Sequence, residues 1–128
     1  MTILGLGVDL VEISRIESVI KKSQNSLAKR ILTNTEFLQY QKQLKPARFL
    51  AKKFAAKEAA SKALGTGIRN IISLNQFEIT NNKMGKPLLK LNGEALKLAN
   101  SLKVNKLYIS ITDERNYALA IVIIENLP

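Results

Sequence analysis

The chain has 128 residues, 46% of them hydrophobic, enough for residues 1–128 to bury a core of their own as one domain. It has no cysteine and no histidine, which excludes disulfides, thiolate nucleophiles, zinc–thiolate and iron–sulfur sites, and removes the commonest general base. The net charge is +10. Between Lys21 and Arg69 twelve Lys or Arg stand against two acids, an excess equal to that whole charge, and this predicts a polyanionic partner.

Residues 3–11 alternate, with Leu4, Leu6, Val8 and Leu10 on one side and Gly5, Gly7 and Asp9 on the other. This predicts a strand with one apolar face. The opposite face is cleared of side chains, as happens where a ligand or another backbone comes close. Asp9 at its end suits either a helix cap or a ligand. Ile13, Ile16 and Ile20 then recur at helical spacing, and a second helical piece covers Ser26–Leu32. Thr33-Asn34-Thr35-Glu36 fits a capping box, with Leu32 and Phe37 placed for a hydrophobic staple, and opens a short helix.

The central stretch is a helix that opens at Pro46, where a missing N–H costs nothing, and closes at Gly65 in a left-handed cap. Lys45, Arg48 and Lys52 share one of its faces, and Phe49 and Phe54 read as core. Ala55, Ala59 and Ala63 form a smooth stripe open to close approach. Glu58 and Lys62, four apart, suit an ordinary exposed ion pair. Phe77–Ile79 and Leu89–Leu91 alternate around the turn cluster Asn81–Pro87 and predict a hairpin. A helix over Gly93–Leu102 and strands over Leu107–Thr112 and Tyr117–Glu125 complete the chain. The order β-α-α-α-β-β-α-β-β predicts an α+β fold with a largely antiparallel sheet packed against helices.

Two carboxylates stand out. Asp9 ends the glycine-cleared strand, and Glu58 lies on the basic helix. Without histidine or cysteine any metal must be a hard ion held by oxygen, of which magnesium is the usual case. The surrounding Lys and Arg suit phosphate. The residues alone thus reach a magnesium–phosphate site.

Gly7-Val8-Asp9 with Arg15, then Phe54-Ala55-Ala56-Lys57-Glu58-Ala59 with Lys62 and Gly65-Thr66-Gly67, resembles the holo-[acyl-carrier-protein] synthase family, the small single-domain 4'-phosphopantetheinyl transferases. Gly85-Lys86-Pro87 and Ser110-Ile111-Thr112 fit the same pattern. The resemblance implies transfer of 4'-phosphopantetheine from coenzyme A to a serine of apo-acyl carrier protein, with release of adenosine 3',5'-bisphosphate. It implies magnesium on Asp9 and Glu58, and Lys62 neutralising phosphate charge. It further implies a homotrimer with active sites at the subunit clefts, lined by Gly65–Gly67 and Gly85–Pro87. Arg48 and Lys53 are then the expected partners of the 3'-phosphate. Glu58 is the expected base, directly or through a metal-bound water.

The first helix is expected to dock the acidic carrier through Arg15, Lys22, Lys29 and Arg30, with Val19 as an apolar contact between them. Many relatives carry histidine where this chain has Asp113, so nearby Lys or Arg must compensate there. The competing reading from charge alone is a non-enzymatic nucleic-acid-binding domain. With seven aromatics, mostly at core-like positions, base stacking is poorly supplied. The longest apolar run, Ala118–Ile124, is seven residues, short of the ~20 that span a bilayer. The N-terminus lacks a basic lead, and the expected location is cytoplasmic.

Overall fold

The computed structural model describes residues 2–69 and 71–128. In order, the elements are β1 (Thr2–Glu12), α1 (Ile13–Ser23), α2 (Ser26–Ile31), α3 (Asn34–Tyr40), α4 (Pro46–Ala63), β2 (Phe77–Asn81), β3 (Pro87–Leu91), α5 (Gly93–Ser101), β4 (Lys106–Asp113) and β5 (Tyr117–Asn126), with a 3-10 turn at Leu74–Gln76. The expected α+β class and order hold, with four helices instead of three between β1 and β2. The strands divide into two antiparallel sheets, β1-β5-β4 and β2-β3.

Local chemistry sets the boundaries. Thr33 caps α3 through the expected capping box, its hydroxyl accepting from the Glu36 N–H while the Glu36 carboxylate accepts from the Thr33 N–H. Pro46 opens α4, and Gly65 follows it at φ +88°, a conformation open to glycine at little cost. Helix α4 is the axis of the fold. Leu50, Ala51, Ala55, Ala56, Ala59 and Ala60 are buried around it, with the three-stranded sheet on one side and α2, α3 and β2 on another.

The sheet meets α4 through the face carrying Gly5, Gly7, Asp9 and Val11 on β1. Beside them on β5 lie Ala118, Ala120, Val122 and Ile124, each 0–1% exposed. Burying each of the two larger side chains contributes roughly 1.5–3 kcal/mol. The alternation of β1 is as expected, but its apolar side is not the core. Leu6, Val8 and Leu10 are 64%, 49% and 59% exposed. The glycines face inward because the α4 backbone occupies the space their side chains would fill. A methyl group on Gly7 would overlap the Ala59 carbonyl oxygen and lie 2.7 Å from the Ala63 nitrogen. The alanine stripe of α4 is the other half of this contact. No described helix is long and apolar enough to cross a membrane.

Candidate active site

Asp9 projects from the α4-facing side of β1, opposite Ala120. It does not cap α1, whose N-cap position is Glu12. Lys62 reaches across from the last turn of α4, its Nζ donating to Asp9 Oδ1 at 3.0 Å and to the Val8 carbonyl at 3.1 Å. The expected Glu58–Lys62 ion pair is absent among the described residues, because Lys62 finds its acid on the neighbouring strand. Glu58 stands half-buried one helical turn before Lys62. Burial pushes its carboxyl above the usual carboxylate range, the negative charge of Asp9 pushes it further, and Lys62 opposes both. Asp9 and Glu58 therefore share one electrostatic field. Among the described residues no third His, Cys, Asp or Glu joins them as a metal-holding group. Two carboxylates fit magnesium, which takes one or two protein carboxylates and fills its shell with water and phosphate oxygens.

A cleft of about 610 Å³ opens near the N-terminal half of α4, lined among others by Arg48, Lys53, Gly85 and Pro87. Lys86 sits exposed at the hairpin tip. The Gly65–Gly67 turn does not line this cleft; Thr66 borders a separate hollow with Arg69. Within a single chain the two turns border separate hollows. Arg48 and Gly65 lie at opposite ends of α4, roughly 25 Å apart at 1.5 Å per residue.

The two expected 3'-phosphate partners are both engaged within the chain. Arg48 donates to Asp113 Oδ2 at 2.7 Å and to the carbonyls of Glu114 and Arg115 at 2.6 and 3.0 Å. Its guanidinium beside Asp113 holds that carboxyl below its ordinary value, and Lys52 stands 3.6 Å away on the other oxygen. Asp113 is therefore an acid neutralised by two cations of α4. Lys53 turns inward, 7% exposed, and donates to the Ile79 carbonyl at 2.9 Å.

Sequence reading gave no role to a buried network beside the site. Lys57 is fully buried and donates to the Ile31 carbonyl at 2.7 Å and to Glu36 Oε1. Glu36 Oε2 accepts from the Ile79 N–H at 2.8 Å. The signal was present in the spacing: Leu50, Lys53, Lys57, Ala60 and Leu64 fall at steps of three and four, so both lysines occupy the apolar stripe of α4. Around the carrier-docking candidates, Arg15, Val19 and Lys22 share an exposed face of α1, and Lys29 and Arg30 are exposed on α2.

Residues 5–122 match the model of the 4'-phosphopantetheinyl transferase superfamily. A holo-[acyl-carrier-protein] synthase of Photorhabdus laumondii is 57% identical over 98% of this chain and 99% of its own. The chain belongs to the holo-[acyl-carrier-protein] synthase family of 4'-phosphopantetheinyl transferases. The fold agrees. The crystal structure of a family member from Neisseria meningitidis superposes with a TM-score of 0.90 at 40% identity, covering 97% of this chain and 99% of that one. A synthase of Bacillus anthracis in complex with coenzyme A (3',5'-ADP) gives 0.81 at 34% identity, over 99% of this chain and 100% of that one. These similarities give the nucleic-acid-binding alternative no support.

Proposed function

We propose that the chain transfers 4'-phosphopantetheine from coenzyme A to a serine hydroxyl of an apo-acyl carrier protein, with magnesium, releasing adenosine 3',5'-bisphosphate. The observation that carries this reading is the Asp9–Glu58 pair across β1 and α4, with the Lys62 ammonium beside it. Asp9 and Glu58 would hold the metal, which when bound would neutralise the pyrophosphate of coenzyme A. Asp9 orients Lys62, whose compact charge stabilises the leaving phosphate. Glu58 takes the serine proton as general base. The serine oxygen bonds to the phosphorus that bears pantetheine. The P–O bond to the nucleotide breaks and its electron pair leaves with adenosine 3',5'-bisphosphate. Phosphoryl-type transfer asks for positioning and charge stabilisation more than covalent chemistry, which suits a chain without histidine or cysteine.

Incubation with coenzyme A, magnesium and an apo carrier should add the mass of phosphopantetheine to the carrier, and chelation should stop it. Rising salt should raise the KM for the carrier. The docking set Arg15, Lys22, Lys29 and Arg30 is exposed, and such charges are screened beyond ~8 Å at physiological ionic strength. A carrier that gains no mass under these conditions removes the reading.

The homotrimer and its interfacial sites are part of the same proposal. Leu6, Val8 and Leu10 on β1 and Ile121 on β5 form an outward apolar face of the three-stranded sheet. Patches of this kind on one chain mark interfaces. The two glycine turns, which do not share a cleft within one chain, can be brought to one across a subunit boundary. Leu6→Asp, placing a charge on that face, should convert a trimeric mass in sedimentation to a monomeric one. A wild-type chain that sediments as a monomer at micromolar concentration would end the trimer proposal.

A further inference from the structure

The outer edge of β2 is held at a single residue by two helices. Ile79 pairs with Leu89 of β3 in the antiparallel hairpin. In such a ladder the N–H and C=O of one residue point the same way, and those of Ile79 point away from β3. Its N–H donates to Glu36 Oε2 of α3 at 2.8 Å, and its C=O accepts from Lys53 Nζ of α4 at 2.9 Å. Lys57, one turn along α4, holds the other oxygen of Glu36. Glu36, Lys53 and Lys57 are 1%, 7% and 0% exposed.

Burying three ionic groups to cover one strand edge is a costly solution where apolar side chains would serve, and it leaves the edge with a single geometry. That geometry bears on the cleft. Ile79, Asn81, Gly85 and Pro87 of the hairpin form one wall, while Phe49 and Lys53 of α4 form the facing one. The Lys53 ammonium also lies 5.1 Å from the centre of the Phe49 ring. The contact that seals the edge is therefore the contact that spaces the two walls.

Resting on the transferase reading, we propose that Lys53 and Glu36 are positioning residues for coenzyme A, fixing the width of the cleft by holding the main chain of Ile79, and that Lys53 does not read the 3'-phosphate. A direct phosphate contact and a wall spacer differ in one measurable way. Dephospho-coenzyme A lacks the 3'-phosphate. Loss of a phosphate ligand harms coenzyme A alone, whereas a loosened wall harms both compounds.

The test measures kcat and KM of the full chain for coenzyme A and dephospho-coenzyme A in the wild type, Lys53→Met and Glu36→Gln. Lys53→Met keeps the apolar stem and removes the donor. It should raise KM for both compounds about tenfold, the size of one buried charged hydrogen bond, with their ratio and kcat held within about twofold. Glu36→Gln keeps its shape and, with its oxygen on Lys57, turns an N–H donor toward the Ile79 N–H. It should raise both KM values about threefold, and the double variant should fall short of the product because both act on one backbone residue. Should Lys53→Met not fold, Lys53→Gln, which drops the charge and keeps a polar end, carries the same comparison. A ratio that collapses toward one in Lys53→Met overturns the proposal, as does a fall in kcat with KM unchanged. A wild type inactive on coenzyme A would instead remove the transferase reading itself.

Discussion

Glu58→Gln is expected to reduce kcat by about a thousandfold or more while the chain folds and assembles as before, since a positioned general base contributes some 10²–10⁴-fold and this one also completes the carboxylate pair. The substitution keeps volume and hydrogen-bonding shape and removes only the charge. Its effect on stability has a defined direction. Burial and the neighbouring Asp9 raise the folded-state pKa of Glu58 above the unfolded value. The folded chain then holds the extra proton in the window between the two values. The contribution to stability is full below the unfolded pKa and is lost as pH rises through the folded one. Once ionised, Glu58 is a small liability that glutamine removes. The thermal midpoint of Glu58→Gln should therefore equal or slightly exceed that of the wild type at pH 7, and the difference should vanish in acid. A Glu58→Gln enzyme with near-full rate would take the base role away from Glu58.

What could be read from the sequence follows the range of the forces involved. Pro46, Gly65, the Thr33–Glu36 box and the Asn81–Pro87 turn act over a few residues, and the structure has its boundaries at those places. Asp9 and Glu58 could be singled out because a carboxylate on a cleared strand and another on a basic helix stand against their surroundings. The partner of Lys62 could not. Helical spacing offered Glu58, while the acid it meets is 53 residues away across a packing contact that local rules do not contain. Glu36 was legible as a cap and illegible as the counter-ion of Lys57, for the same reason. The burial of β1 was inverted: apolar alternation ordinarily marks the core side, but here α4 lies so near the strand that only glycine fits beneath it. The leucines are left outside, where a second copy of the chain can cover them.

Gly7→Ala tests that inversion. In an ordinary strand the change would stabilise by restricting the unfolded chain, worth about 0.4–1 kcal/mol. Here the added methyl group meets the Ala59 carbonyl and the Ala63 amide nitrogen, backbone atoms of α4 that no rotamer change can move aside. Helix and strand must separate, so the expected result is a loss of about 3 kcal/mol or more, at the upper end of overpacking penalties, and a fall in thermal midpoint on the order of 10 °C. The same displacement pulls α4, with Glu58 and Lys62, away from Asp9. A misplacement near 1 Å costs about a hundredfold in rate, so the folded fraction should also turn over slowly. Gly65→Ala is the control. It has open space around the added methyl group but sits at φ +88°, so its cost should be limited to left-handed strain of about 1–2 kcal/mol. If Gly7→Ala melted with the wild type and kept its rate, the helix–strand contact would have slack, and the spacing of Asp9 from Glu58 would need another support than the bare backbone of β1.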